Sequence, residues 1–141
     1  MILAACSPVT VQPESSDPRD LELKAVLADA GPLIRNILAS LNAGDYRQYI
    51  RDFDKGSKDI PTEAAFREME TSIKKNMGRY EEGMCQVHKI EMYTNSYTIF
   101  YFVKFQKLDR SSPSICVMQV KKTGGRLAIM SVSFHEYAAR S

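Results

Sequence analysis

The chain has 141 residues, of which 44% are hydrophobic and 26% charged, with a formal net charge of +2. That length suits one domain with one core. No run approaches the ~20 apolar residues of a membrane-spanning helix. The small charge excess, with Lys and Arg interleaved among Asp and Glu, argues against a nucleic-acid partner. The pairs Lys74-Lys75 and Lys121-Lys122 read as solvated positions.

The opening octet, "MILAACSP", ends a run of small apolar side chains on Cys6. Its "LAAC" resembles the lipobox of bacterial lipoproteins, in which the peptidase needs small residues such as Ala4 and Ala5 before a cysteine that is then acylated. On that resemblance residues 1–6 are the remnant of a lipoprotein signal, Cys6 is the lipidation site, and the address is the bacterial cell envelope, on the periplasmic or cell-surface side. Only Met1 and Ile2 precede the box, whereas a signal needs a basic start and an apolar core. Ser7 to Asp20, "SPVTVQPESSDPRD", holds three of the six prolines among polar residues. Such a segment buries too little apolar surface to offset its ordering entropy, so residues 7–20 are expected to be an extended, mobile linker. The folded domain is expected over residues 21–137.

Helical periodicity opens that domain. Leu23, Val26, Leu27 and Ala30, then Ile34, Ile37, Leu38 and Leu41, recur at spacings of three and four. Gly31-Pro32 falls between the two groups, and a proline inside a helix predicts a kink or break near residues 28–32. In "NAGDY", Gly44 suits a left-handed cap and Asp45 the start of a short helix whose buried stripe is Tyr46, Tyr49, Ile50 and Phe53. Thr62 caps a third helix with Phe66, Met69, Ile73 and Met77 inward, and Gly78 ends it.

From about residue 83 the period changes to two. Strands are predicted over Met84–Tyr93, Ser96–Lys107, Ser114–Lys122 and Leu127–Glu136, with Gly124-Gly125 as a hairpin turn. Short connections favour an antiparallel meander. The fold class is therefore α+β: helix, helix, helix, then a four-stranded antiparallel curved sheet holding the helices in its concave face.

The stretch "LASLNAGDYRQYIRDF", followed by a loop, an amphipathic helix and a four-stranded meander, resembles the nuclear transport factor 2-like (cystatin-like cone) superfamily, in particular its bacterial lipoprotein and secreted branches of unassigned function. The similarity covers about residues 22–136 and is carried most by "LNAGDY", a structural junction. It implies a sheet wrapped around helices into a cone whose mouth often holds a small apolar molecule. Some members are isomerases or dehydratases using Asp, His and Tyr.

Strand parity then assigns faces. On the first strand Met84, Gln86, His88, Ile90 and Met92 are expected inward. Tyr97, Ile99, Tyr101, Val103 and Phe105 follow on the second, and Ile115, Val117 and Gln119 beside Met130, Val132 and Phe134 on the last hairpin. The candidate pocket is thus His88, Tyr101, Tyr97, Tyr46 and Tyr49, with His88 close to Tyr101. Phe100, Phe102, Met118, Val120 and Ile129, with Cys116, are expected outward; they are too apolar for a face left in water. Superfamily members commonly dimerise through this convex surface, so it is the candidate homodimer face. Cys85 and Cys116 would lie two strands apart, ~10 Å, beyond the ~7 Å reach of a disulfide, and are expected as free thiols. No metal-ligand cluster, phosphate loop or nucleophile elbow is present, so neither metal nor cofactor is expected.

Two function classes follow. The first is a lipid-anchored, non-enzymatic envelope module that binds a small apolar ligand or an envelope protein. The second is an acid–base enzyme of isomerase or dehydratase type with His88 and Tyr101 as its pair.

Overall fold

The computed structural model of the chain describes residues 6–7, 17–107 and 114–136, the side chains of Cys6, Ser7 and Glu136 excepted. The lipobox residues before Cys6 and linker residues 8–16 lie outside the described ones.

Helix α1 spans Pro18–Ala43. Asp17 caps it, accepting from the Arg19 amide at 2.9 Å, and Pro18 occupies the first turn, where a missing N–H costs nothing. The helix therefore takes in the last residues assigned to the linker. It also runs unbroken through Gly31-Pro32, against the break expected there. Interior proline costs ~3 kcal/mol. Here the apolar stripe keeps phase across it, with Ala30, Ile34, Ile37 and Leu38 fully buried, and burial on both sides offsets that cost. Gly44 closes the helix in the left-handed conformation at φ 67°. Asp45 caps the short α2, Tyr46–Ile50, through the Gln48 amide. Thr62 caps α3, Glu63–Asn76, through Ala65. These junctions are the ones the sequence predicts.

The sheet is a meander of β2 (Tyr80–Met92), β3 (Ser96–Phe105), β4 (Ser114–Thr123) and β5 (Arg126–Glu136), all antiparallel. A two-residue β1, Cys6–Ser7, adds in parallel to β2, with Cys6 opposite Cys85. The predicted α+β order is the observed one.

Register slips in β2 and β5 decide which side chains reach the core. β3 alternates as expected, with Tyr97, Ile99, Tyr101, Val103 and Phe105 buried. In β2 the ladder slips between Val87 and Lys89. The extra residue reverses phase at that point: Ile90 and Met92 pack on the core as expected, but Cys85 and Val87 are the inward residues before the slip, and Met84, Gln86 and His88 are exposed. In β5 the ladder slips between the Ile129 and Ser131 pairs, at Met130. Val132 and Phe134 therefore pack on the core as predicted, yet so does Ile129. β4 is inverted throughout. Cys116 pairs with Tyr101 and Met118 with Ile99, and facing partners share a side, so Cys116, Met118 and Val120 are fully buried. Ile115, Val117 and Gln119 take the outer face, half-buried.

The thiols differ as well. Cys85 is disulfide-bonded, correcting its expected free state. Cys116 is free and fully buried, and loss of water pushes its thiol pKa up.

Candidate functional site

The five side chains of the expected pocket do not converge. His88 is exposed on the outer face, its ring 4.4 Å from that of Phe102, because the bulge beside it turns it away from Tyr101. Tyr46 and Tyr49 do share a neighbour, Phe66, at ring distances of 5.7 and 5.1 Å. Their hydroxyls are engaged with the Pro61 carbonyl and the Met69 sulfur, so they belong to the packing between α2 and α3. Tyr97 is buried, and its hydroxyl donates to the Glu22 carboxylate at the start of α1. That contact and burial push its pKa up to about 12. Tyr101 is 1% exposed and points into the interior. The acid–base pair of His88 with Tyr101 is therefore separated by the sheet itself.

The expected dimer face is corrected in the same way. Phe100 and Phe102 lie on the outer face, half-buried, but Met118, Val120 and Ile129 are core residues with no exposed surface. Ile115 and Val117 complete the outer apolar stripe beside the two phenylalanines, and the Lys89 ammonium sits 4.6 Å from the centre of the Phe100 ring.

A different constellation forms where the second half of α1 meets the start of β2. Arg79 accepts a strand hydrogen bond from the Gln106 amide at its carbonyl. By strand alternation the N–H and C=O of Tyr80 then face the open edge of the sheet. Asn42, one residue before the end of α1, takes both: its Nδ2 donates to the Tyr80 carbonyl and its Oδ1 accepts from the Tyr80 amide, each at 2.9 Å. Arg79 Nη1 adds a 3.2 Å bond to the Asn42 carbonyl. The pairing fixes helix against strand and leaves a solvent-open cleft of about 690 Å³ between them, walled by Arg35, Ala39, Asn42, Arg79, Tyr80 and Glu82.

Two buried phenol hydroxyls, closed to solvent, and one cation of the cleft wall lack protein partners. Tyr80 is 5% exposed, and its hydroxyl makes no hydrogen bond; nor does that of Tyr101. Burial pushes both phenols' pKa values up. The Gly83 backbone biases Tyr80 the other way, and the Arg35 charge acts downward on both phenols. Arg35 is half-buried, folded back so that its Nη1 would lie 3.3 Å from a Cβ at Gly31. Among the described residues it forms neither ion pair nor hydrogen bond. A guanidinium with its fork free in the wall of a cleft is a set of donors without an acceptor.

Sequence reasoning passed over these residues. Arg35, Ala39 and Asn42 recur at helical spacing along one edge of the α1 stripe, but their partner, Tyr80, is 38 residues beyond Asn42, ahead of where the strand was expected to start. Among the described residues no three His, Cys, Asp or Glu side chains are grouped to hold a metal ion.

No protein-family profile and no curated protein matches this chain in sequence. Solved structures do match in shape. A protein of unknown function with a cystatin-like fold from Nostoc punctiforme is 13% identical, with 80% of this chain covering 92% of that one at a TM-score of 0.52. A nuclear transport factor 2-like protein of unknown function from Silicibacter pomeroyi is 11% identical, covering 81% and 98% at 0.53. One from Shewanella baltica, also of unknown function, is 9% identical, covering 84% and 96% at 0.52. The chain thus has the nuclear transport factor 2-like, cystatin-like fold that its helix junction and meander predict. At these identities the likeness carries the fold alone.

Proposed function

We propose that the chain is a non-enzymatic binding module that holds a small ligand in the cleft between α1 and β2. The observation that carries this reading is the Arg35 guanidinium, half-buried in the cleft wall with neither ion pair nor hydrogen bond among the described residues. An unpaired guanidinium presents a planar fork of donors that a ligand in the cleft can engage. The cleft volume falls in the range of small-molecule sites, ~300–1,000 Å³. The acid–base enzyme is the weaker reading, since His88 and Tyr101 lie on opposite faces of the sheet.

For its address we propose an exported location. Disulfides persist in oxidising compartments, and Cys85 carries one. Anchoring through an acylated Cys6 remains a separate proposal resting on the "LAAC" resemblance. A sulfur in a thioether cannot also enter a disulfide, so acylation and cross-linking of Cys6 exclude each other.

The test is a small-molecule screen by two-dimensional NMR on the isotope-labelled chain. Hits are expected to move the Tyr80 and Gly83 amides and the Asn42 side-chain amide, and to stop doing so in Arg35→Gln. Hits that shift only the outer-face residues Phe100, Phe102 and Val117, or none at all, would overturn the reading.

A further inference from the structure

We infer that the group this cleft recognises is a singly charged carboxylate on a small organic tail. The inference rests on the binding reading above and adds the ligand's chemistry. Among the wall residues the charged groups are Arg35, Arg79 and Glu82, which leaves an excess of one positive charge. A monoanion balances that excess, whereas a doubly charged phosphate monoester would overshoot it and meet the Glu82 carboxylate. The two cations are not equivalent. Arg79 already spends one nitrogen on the Asn42 carbonyl, while Arg35 keeps its whole fork.

A planar fork matches the two coplanar oxygens of one carboxylate in a bidentate pair. The remaining wall is small and apolar, Ala39 and Ala43, which gives a short aliphatic or aromatic tail a surface without adding a polar demand. Neither alanine offers a donor for a tail rich in hydroxyls.

The experiment titrates the full chain at pH 7.5 with four probes of similar size: hexanoate, hexanamide, hexyl phosphate and dibutyl phosphate. Amide shifts at Tyr80 and Gly83 are the readout. Hexanoate is expected to bind at least tenfold tighter than hexanamide and tighter than either phosphate. Arg35→Gln should lose at least tenfold for hexanoate and Arg35→Lys less, with unfolding midpoints verifying that each variant is folded. An N-acetylated tripeptide with a free C-terminus, compared with its amide, separates a peptide terminus from a free acid as the source of the carboxylate. Equal or tighter binding of hexanamide or of either phosphate overturns the carboxylate assignment while the cleft stands. Absence of shifts at Tyr80 and Gly83 with all probes overturns both.

Discussion

Asn42 offers the most direct check on how the cleft is built. In Asn42→Ala the two 2.9 Å hydrogen bonds to the Tyr80 backbone disappear. Each contributes a net ~0.5–1.5 kcal/mol, so their loss alone amounts to ~1–3 kcal/mol. Tyr80 N–H and C=O would then face a cleft open to solvent, where water re-bonds them, so the penalty of a stranded buried amide is not added. We expect ~2 kcal/mol. With a urea slope of ~1–3 kcal/mol per molar, the unfolding midpoint falls by ~1 M at unchanged slope. Hydrogen exchange supplies the local readout: the Tyr80 amide should lose protection more than its strand neighbours Val87 and Ile90. A midpoint shift worth under ~0.5 kcal/mol, or a Tyr80 amide that exchanges as before, would refute the idea that this side chain secures the edge of β2.

Other expectations follow from the same structure. The Tyr97 phenol, bonded to Glu22, titrates at about 12 in the folded chain against 10.0 as its ordinary value. A raised folded value stabilises below pH 10 and is lost as pH rises through about 12, so between these limits the wild type should lose stability relative to Tyr97→Phe, measured by denaturant unfolding. Parallel curves would refute the pairing. Gly44→Ala forces an alanine to φ 67° and sets its Cβ 2.6 Å from a Glu70 carboxylate oxygen that Lys74 already holds; a loss of ~2 kcal/mol is expected in thermal unfolding, and a change under ~0.5 would refute it. For Cys85, peptide mapping without reductant should join it to the peptide containing Cys6, its register partner, since Cys116 is free and inaccessible. A diacylglycerol mass on the Cys6 peptide would overturn that pairing and support the lipid anchor instead.

The helices and their junctions were legible because their signals are local. Gly44, Asp45 and Thr62 act on amides within a few residues, and the α1 stripe is visible in spacing alone; the Asp17 cap was missed, because its proline-rich surroundings read as linker. Pro32 shows the limit of that rule: a local breaker was overridden by burial on both sides, which spacing does not weigh. Strand phase was legible where the ladder is regular, as in β3. It failed wherever phase is set by a partner strand. Both faces of β3 and β4 are apolar, with Phe100 and Val117 on one and Ile99 and Met118 on the other, so alternation alone cannot say which face is covered. The bulges at His88 and Met130 exist only in pairing with neighbours and leave no mark in the residues themselves. The cleft was illegible for a related reason. Its members are single polar residues on separate elements, brought together by a side chain pairing with a strand edge.

The slip at His88 has a consequence for how this chain tolerates length changes. Val87 points in, His88 and Lys89 both point out, and Ile90 points in. Removing His88 would leave a strictly alternating segment with every interior residue in place, whereas removing Gln86 would draw a neighbour of opposite facing into the interior or push Cys85 out of it. Within Cys85–Met92 the reading frame of β2 thus has one spare position, and an imidazole occupies it.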